Sequence, residues 1–212
     1  MTRELLRSHS SVRKYTGEQI SKEQVIDMIE TAQMAASSHF VQAYSVIWVT
    51  DEEKKAKLGE LSKNEFQFQT AGGSFLFCVD FKRLHEAGKK NGVEIVVDSA
   101  ENLLVGITDV ALFAQNFVIA AEAEGYGICY IGGARTSAKE ISELFELPEY
   151  VFLMFSLTRS GFSRRNFMSS IMITSLLMEI WSLCAEGHRD LKLFHVKHQS
   201  GKPFGNSALT MV

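Results

Sequence analysis

The chain has 212 residues, of which 46% are hydrophobic, and a formal net charge of −3 at pH 7 with a pI near 6.1. This length and apolar content predict a full hydrophobic core in a chain short enough to be one domain, and argue against intrinsic disorder. The slightly acidic balance argues against nucleic acid or an anionic membrane as the main partner.

The N-terminal residues, MTRELLRSHSSVRKYT, are too polar for the apolar core of a secretory signal. The most apolar later stretches carry polar or charged side chains, among them Asp109, Gln115 and Glu122, which argues against a membrane span. We therefore expect a soluble cytoplasmic protein with no membrane partner.

The three cysteines, Cys78, Cys129 and Cys184, are odd in number, far apart in sequence and set among apolar residues. This pattern favours buried reduced thiols over a disulfide framework or a zinc site. No metal site is predicted.

The first half of the chain alternates predicted helices and strands. Ser21 and Gln24 form a capping box, and Asp51 is a second helix cap. A first helix is predicted at 2–8, and the helix capped by Ser21 turns Val25, Ile26, Met28, Ile29 and Ala32 inward. A strand at 44–50, a helix at 51–62 and a loop or ragged helix end at 63–73 follow. The last predicted elements of this half are a central strand at 74–80, covered on both faces, and a helix with a mobile loop over 82–97.

The run from Asp98 to Gly133 is the stretch around which the chain is organised. Asp98 or Ser99 is the predicted helix cap, and the following residues are so densely apolar that they leave no wide polar face, which predicts a buried helix. Gly125 and Gly127 are predicted to end it in a left-handed cap, followed by a strand at 128–131.

The second half adds a helix and a strand. Ser137 and Glu140 predict another capping box for a helix through Phe145, and Pro148 stops that helix before a strand at 150–158. Beyond residue 157 the only predicted element is a helix near 171–184. These elements predict a layered α+β domain.

Three separated polar segments carry the groups that can bind a flat, phosphorylated ligand. The first offers a guanidinium, an imidazole and hydroxyls, the second hydroxyls and an amide, and the third a glycine pair whose backbone N–H groups are accessible. The segments are His9, Ser10, Ser11 and Arg13; Ser37, Ser38, His39 and Gln42 with Phe40 as an apolar cover; and Tyr130, Ile131, Gly132 and Gly133.

Each segment also has an ordinary structural interpretation. The first can be a solvated surface loop, the second a helix-ending turn, and the third a close packing of helix on strand. Taken singly, none of the three is specific.

Together, the segments resemble a known family. RSHSSVRKYTGEQIS, AASSHFVQAYS, ENLLVGITDVALFAQNFVIAAEAEGYGICYIGGART and ELFELPEYVF are similar in order and spacing to the FMN-binding oxygen-insensitive nitroreductases and NAD(P)H-dependent flavin reductases. The resemblance runs from about Arg7 to Phe155. It implies a mixed, largely antiparallel sheet flanked by helices, and a homodimer with FMN at its interface.

The resemblance also implies roles for individual residues. The three segments fall where the family contacts FMN: His9, Ser10, Ser11 and Arg13 at the phosphate and ring edge, Ser37, Ser38, His39 and Gln42 around the phosphate and ribityl chain, and Tyr130 to Gly133 at the isoalloxazine. Phe40 is a candidate substrate contact. Arg135 is a candidate for the phosphate of the nicotinamide co-substrate.

The activity implied by the resemblance is ping-pong hydride transfer. NAD(P)H would reduce FMN and leave, and a nitro compound, quinone, free flavin or similar acceptor would then occupy the same face. Because the flavin carries the redox chemistry, no catalytic side chain is required, and the sequence shows no nucleophile or acid/base dyad.

Two departures from the family pattern stand out. Glu65 and Gln67 occupy the positions where the family has a glutamine followed two places on by tyrosine or histidine, so a carboxylate would face the flavin unless it turns away. After Leu157 the family's Lys-Pro-Arg-Leu-Pro segment is missing. Arg164 or Arg165 is a candidate replacement for its cations, and a solvated basic patch is the favoured alternative interpretation of these arginines.

The departure after Leu157 divides the chain into a predicted FMN-binding domain at 1–158 and a divergent tail at 159–212. One hypothesis for the tail is a reading-frame change, which sequencing the gene around codon 157 would test. Two rival functions remain open: an FMN-binding protein without turnover, because of Glu65 and the missing cations, and an interaction module that binds no flavin.

Overall fold

The apolar run in the middle of the chain forms the central strand of a sheet. The computed structural model describes residues 2–97 and 99–161. Within them, four strands pair antiparallel in the order β1-β2-β4-β3. Their bounds are Tyr44–Trp48 for β1, Gly73–Asp80 for β2, Tyr126–Ile131 for β3 and Val151–Gly161 for β4.

Helices cover both faces of this sheet, which confirms the predicted α+β class. The described α-helices are α1 Thr2–Arg7, α2 Lys22–Ala32, α3 Glu52–Leu61, α4 Glu65–Thr70, α5 Lys82–Lys90, α6 Ala100–Ala123 and α7 Ala138–Leu144. Short 3-10 helices occur at Ser38–Phe40 and Gly132–Ser137.

Alternating residues of β2 point into two separate layers. Phe77 lies on the α6 side, with ring centroids 6.0 Å from Phe113 and 5.6 Å from Phe117. Leu76 and Cys78 belong to the opposite cluster, which includes Leu58 of α3, Phe68 of α4 and Ile141 of α7. Because both faces are covered, every residue of β2 is buried, as the continuous apolar run predicts.

The long helix α6 begins and ends as the sequence indicates. The Ser99 side chain accepts a hydrogen bond from the Asn102 amide at 3.1 Å, and Gly125 has φ +86°, the left-handed conformation that glycine adopts readily. Gly127 instead lies inside β3, so its predicted capping role is wrong.

The burial of α6 is one-sided in the single chain. Phe113, Phe117 and their neighbours on the inner face are buried, whereas Leu103, Leu104 and Leu112 are exposed by 45%, 53% and 42%. The expectation that the whole helix is buried is therefore wrong for one copy of the chain. Among the described residues, α6 is the one helix long and apolar enough to cross a membrane by length and composition.

The predicted helix caps were confirmed at some helix ends and were wrong at others. The Ser21–Gln24 capping box and the Asp51 cap are both present. Ser137 makes no capping hydrogen bond, because the chain enters α7 directly from a 3-10 helix. Ile26 is 43% exposed rather than inward, and residues 65–70 form α4 where a loop or ragged helix end was expected.

Two cysteines within the described residues confirm the thiol prediction. Cys78 and Cys129 are buried and free. Burial raises the pKa of the Cys78 thiol to about 12, so it stays protonated at neutral pH. Cys184, the predicted helix near 171–184, Arg164 and Arg165 lie outside the described residues.

The packing of α6 on β2 predicts how much a substitution at this interface should destabilise the fold. Phe117→Ala removes a fully buried ring that packs on Phe75 and Phe77, and should lower the free energy of unfolding by about 3–5 kcal/mol. Phe152→Ala, on a ring 54% exposed, is the matched control and should cost under about 1 kcal/mol. Urea unfolding measures both, and equal losses would contradict this packing.

Candidate functional site

The first polar segment lies against β3, next to the third. Ser11 forms an isolated parallel bridge with Ile128, and the Val12 amide donates to the Ile128 carbonyl at 2.8 Å. A Cβ on Gly127 would lie 2.8 Å from the Val12 side chain, so only glycine permits this approach. The fold thus brings the first and third segments together.

His9 is held by an acidic side chain in the last turn of α6. Its Nδ1 lies 2.7 Å from Oε1 of Glu122, with 40% of the His9 side chain and 12% of the Glu122 side chain exposed. The hydrogen bond to Glu122 raises the pKa of His9, and its negative charge acts in the same direction, while partial burial opposes both. His9 is therefore a readily protonated group at the edge of the segment.

Cys129 interacts with both Gln67 and Arg13. Gln67 is buried, and its Nε2 donates to the Cys129 Sγ at 3.8 Å. Burial raises the pKa of the Cys129 thiol, and the nearby charge of Arg13 opposes that rise. Glu65, at the start of α4, is exposed, so its carboxylate is free to remain in water.

The second segment is fastened to the middle of α6 by Asp109. This carboxylate is fully buried and accepts from the Ser38 amide at 2.9 Å and from the Ala43 amide at 3.1 Å. Inside that loop, the Gln42 amide donates to the Ser37 Oγ at 3.2 Å. A buried carboxylate needs such donors to offset its lost hydration, so the loop and the helix stabilise one another.

The backbone of this loop is unusual between its two anchors. His39, Phe40 and Gln42 have φ of 49°, 57° and 50°, a region that residues other than glycine seldom adopt. Phe40 is 81% exposed at the tip, and the Ser38 Oγ lies 3.5 Å from the His39 Nδ1. The loop therefore presents polar groups and one aromatic ring to the outside.

The glycine turn of the third segment is partly covered by the chain itself. A Cβ on Gly133 would collide with the carbonyl oxygen of Ser62, so this glycine permits the α3–α4 connection to pack closely. Tyr130 packs edge-on against Phe155, with ring centroids 5.0 Å apart. Ile131 is buried in the core cluster. Ser62 and Asn64 therefore cover one side of the turn.

Arg135 folds back over the same turn. Its Nη1 donates to the Met154 carbonyl at 3.0 Å, and its Nη2 lies 3.0 Å from the position of a Cβ on Gly132. The side chain is half-buried. Its predicted contact with the nicotinamide phosphate stays a prediction.

Within one chain, the second segment is fastened far from the first. Asp109 and Glu122 lie thirteen residues apart on α6, a spacing of about 20 Å along the helix axis at about 1.5 Å per residue. The single chain therefore brings together two of the three predicted segments. The second segment is the one that the single chain holds apart.

Among the described residues, Asp109 and Glu122 contact the predicted segments although the sequence analysis did not assign them to the candidate site. Both were used only as an argument against a membrane span. The signal that could have found them is a carboxylate in an otherwise apolar helix, because a carboxylate on a packed face must have donors nearby.

The comparisons with known proteins agree with this fold. The model of the nitroreductase family matches residues 6–159. A Cr(VI) reductase of Pseudomonas sp. (strain G-1) is 69% identical over 166 residues, which cover 78% of this chain and 68% of the relative. An FMN reductase (NADPH) of Bacillus subtilis (strain 168) is 37% identical over 158 residues, covering 74% of this chain and 64% of the relative.

A solved structure gives the same result. NfrA1 of B. megaterium superposes with a TM-score of 0.74 at 34% identity, covering 85% of this chain and 80% of the other. The chain belongs to the nitroreductase family, and its membership classes it as an oxidoreductase with a nitroreductase-like fold. The chain spans about two thirds of the length of the two curated relatives.

The hydrogen bonds of Asp109 predict how firmly the loop of the second segment is held. Asp109→Asn should turn an NH2 group toward one of the two backbone donors and lower the free energy of unfolding by about 1–3 kcal/mol. Amide hydrogen exchange at Ser38 and Ala43 should accelerate more than exchange in β2. Asp27→Asn, on an exposed position of α2, is the control, and unchanged exchange in the Asp109→Asn protein would contradict the anchoring role.

Proposed function

We propose that this protein is an FMN-dependent NAD(P)H oxidoreductase that transfers hydride to nitroaromatics, quinones or free flavins. The observation that carries the proposal is the bridge between Ser11 and Ile128, which joins the first segment to the strand that leads into the Gly132–Gly133 turn. A cationic end and a backbone edge are thereby adjacent. The Bacillus relative, named an FMN reductase (NADPH), supports the same chemistry.

The donor set of the described residues fits a phosphate-bearing flavin. The segment supplies the imidazole of His9, the hydroxyls of Ser10 and Ser11, and the guanidinium of Arg13. Charged donors and hydroxyls of this kind bind phosphate oxygens strongly. Gln67 would hold the ring side from α4, while the exposed Glu65 keeps its charge in water rather than against the ring.

The second segment would come from another copy of the chain. Ser37, Ser38, His39 and Gln42 are held about 20 Å along α6 from the anchor of His9, which is too far for one small contact region. The exposed Leu103, Leu104 and Leu112 give α6 an apolar outer face that a second copy would cover. A homodimer with FMN at its interface satisfies both features.

When bound, FMN supplies the hydride chemistry, taken up from NAD(P)H and passed to the acceptor in alternating ping-pong half-reactions. The chain has to bind the phosphate, fix the ring edge and leave one ring face open. Phe40 at the tip of the second segment is suited to cover a flat acceptor. A Cr(VI) acceptor, as in the name of the Pseudomonas relative, is a further candidate.

The proposal also includes a cytoplasmic location and a division of the chain into an FMN-binding domain at 1–158 and a tail at 159–212. The division falls inside β4, which continues to Gly161.

A second candidate function is FMN binding without turnover. The packing of Ser62 against Gly133 narrows the approach to the glycine turn, and the family's cationic segment is missing after Leu157. Both features would weaken the stabilisation of a negatively charged reduced ring. The two functions differ in whether bound flavin reacts with the nicotinamide.

The flavin spectrum tests the proposal. Purified protein reconstituted with FMN should be yellow, with one FMN per chain and the mass of a dimer. Its visible absorbance should be bleached by NADPH in the absence of oxygen and restored by menadione or nitrofurazone. Free FMN at the same concentration, without protein, is the control for non-enzymatic reduction.

Each outcome selects one function. A yellow protein that NADPH and NADH both fail to bleach is the flavin-binding protein without turnover. A protein that stays colourless after incubation with FMN refutes both flavin functions and leaves the interaction module.

Arg135 gives a prediction about co-substrate choice. Arg135→Ala should raise KM for NADPH about tenfold and KM for NADH much less if the guanidinium contacts the 2′-phosphate, because one charge-assisted hydrogen bond is lost. Lys139→Ala, an exposed cation on α7, is the control. Equal changes for both nucleotides would contradict a contact of Arg135 with the 2′-phosphate.

A further inference from the structure

The contact between His9 and Glu122 orients the imidazole ring as the proposed phosphate contact requires. Glu122 occupies the Nδ1 of the imidazole at 2.7 Å, so Nε2 is the one ring nitrogen left to meet a ligand. Glu122 is only 12% exposed, whereas His9 is 40% exposed. The carboxylate is thus behind the ring, and the ring faces outward.

The surroundings of the pair favour the charged form of His9. Glu122 of α6 is the acid that faces it, and Arg13 is the cation on its own segment. Tyr130 faces Glu122 from β3. Burial raises the pKa of the Tyr130 phenol, and the charge of Glu122 raises it further, so Tyr130 stays neutral. Among the described residues, His9 is the partner that Glu122 favours in its protonated form, because the contact raises the pKa of the imidazole.

We propose that Glu122 is a positioning residue for the flavin phosphate: it holds the imidazolium of His9 through Nδ1 and turns the Nε2–H toward the phosphate oxygens. This role rests on the proposed function. It assigns to the last turn of α6 a part in flavin recognition, although Glu122 itself does not touch the flavin.

The charge of the His9 ring and the orientation of its Nε2 act together on the phosphate. A neutral His9 hydrogen-bonded through Nδ1–H would present the lone pair of Nε2 to the phosphate, which repels it. An imidazolium presents an N–H donor and a positive charge instead. By raising the pKa of His9, Glu122 shifts the ring toward the form that attracts the phosphate.

The sign of the pH dependence follows from the raised pKa of His9. Below about pH 6.5, the ordinary value for histidine, the ring is protonated with or without Glu122. Above the raised pKa of the folded protein it is neutral in both cases. The pair therefore contributes stability that is fully present below the unfolded pKa and is lost as pH rises through the folded pKa.

Two substitutions separate charge from hydrogen bonding. Glu122→Gln keeps an acceptor for Nδ1–H and removes the charge, whereas Glu122→Ala removes both. Glu124→Gln, at the exposed end of the same helix, is the matched control. Flavin fluorescence titrations of the apoprotein from pH 5.5 to 9 should be run with FMN and with riboflavin, which lacks the phosphate. The imidazole pKa of His9 should be measured by NMR, assigned with His9→Asn.

We expect Glu122→Gln to weaken FMN binding about tenfold at pH 7 to 7.5, the loss of one charge-assisted contact, and to leave riboflavin binding unchanged. The loss should shrink toward pH 5.5, and the NMR titration of His9 should move to lower pH. In a His9→Asn background, Glu122→Gln should have no further effect. Glu124→Gln should match the native protein throughout.

Several outcomes would overturn the role. Equal loss of FMN and riboflavin, or an unchanged FMN profile in a Glu122→Gln protein whose His9 titration has moved, would reduce the pair to a structural contact. A native protein that binds no FMN at any pH would refute the proposed function, and this role with it. The NMR titration would still report the ion pair in that case, so the two failures are distinguishable.

Discussion

The packing of α6 against the central strand β2 is the constraint on which the rest of the structure depends. Phe113 and Phe117 of the helix meet Phe75 and Phe77 of the strand in a continuous aromatic layer, each such pair contributing about 0.5–1.5 kcal/mol beyond its buried area. Gly106 lets the same helix approach the Val79 side chain closely. Once α6 is fixed on the sheet, the positions of its polar groups are fixed too.

Those polar groups turn a core helix into a support for the site. Asp109 holds the loop of the second segment, and Glu122 holds His9 of the first. Burying a carboxylate is unfavourable unless donors compensate it, so the helix sequence and the two segments have to match. The spacing of the two acids sets the distance between their anchors along α6, and the second copy of the chain in our proposal accounts for that distance.

The end of β4 shows where the match between sequence and fold weakens. Arg159 is fully buried, with its guanidinium 3.2 Å from the centre of the Tyr126 ring. Its three nitrogens have no hydrogen-bond partner among the described residues, and burial lowers its pKa. A cation–π contact offsets only part of the cost of desolvating a cation. Arg159 is also the last residue that the nitroreductase family model matches.

The sequence by itself determined most of the described elements, the class of fold and the family, although it missed α4. Caps at Ser21, Asp51 and Ser99, the left-handed Gly125 and the apolar run of β2 are local signals, because each depends on neighbours within a few residues. Tertiary structure decided which polar groups meet. The contact of His9 with Glu122 and that of Ser38 with Asp109 join residues far apart in the chain. Local sequence patterns do not specify which distant residues will meet in the fold. The one-sided exposure of α6 has the same origin, since an apolar sequence does not state whether its own chain or another copy will cover it.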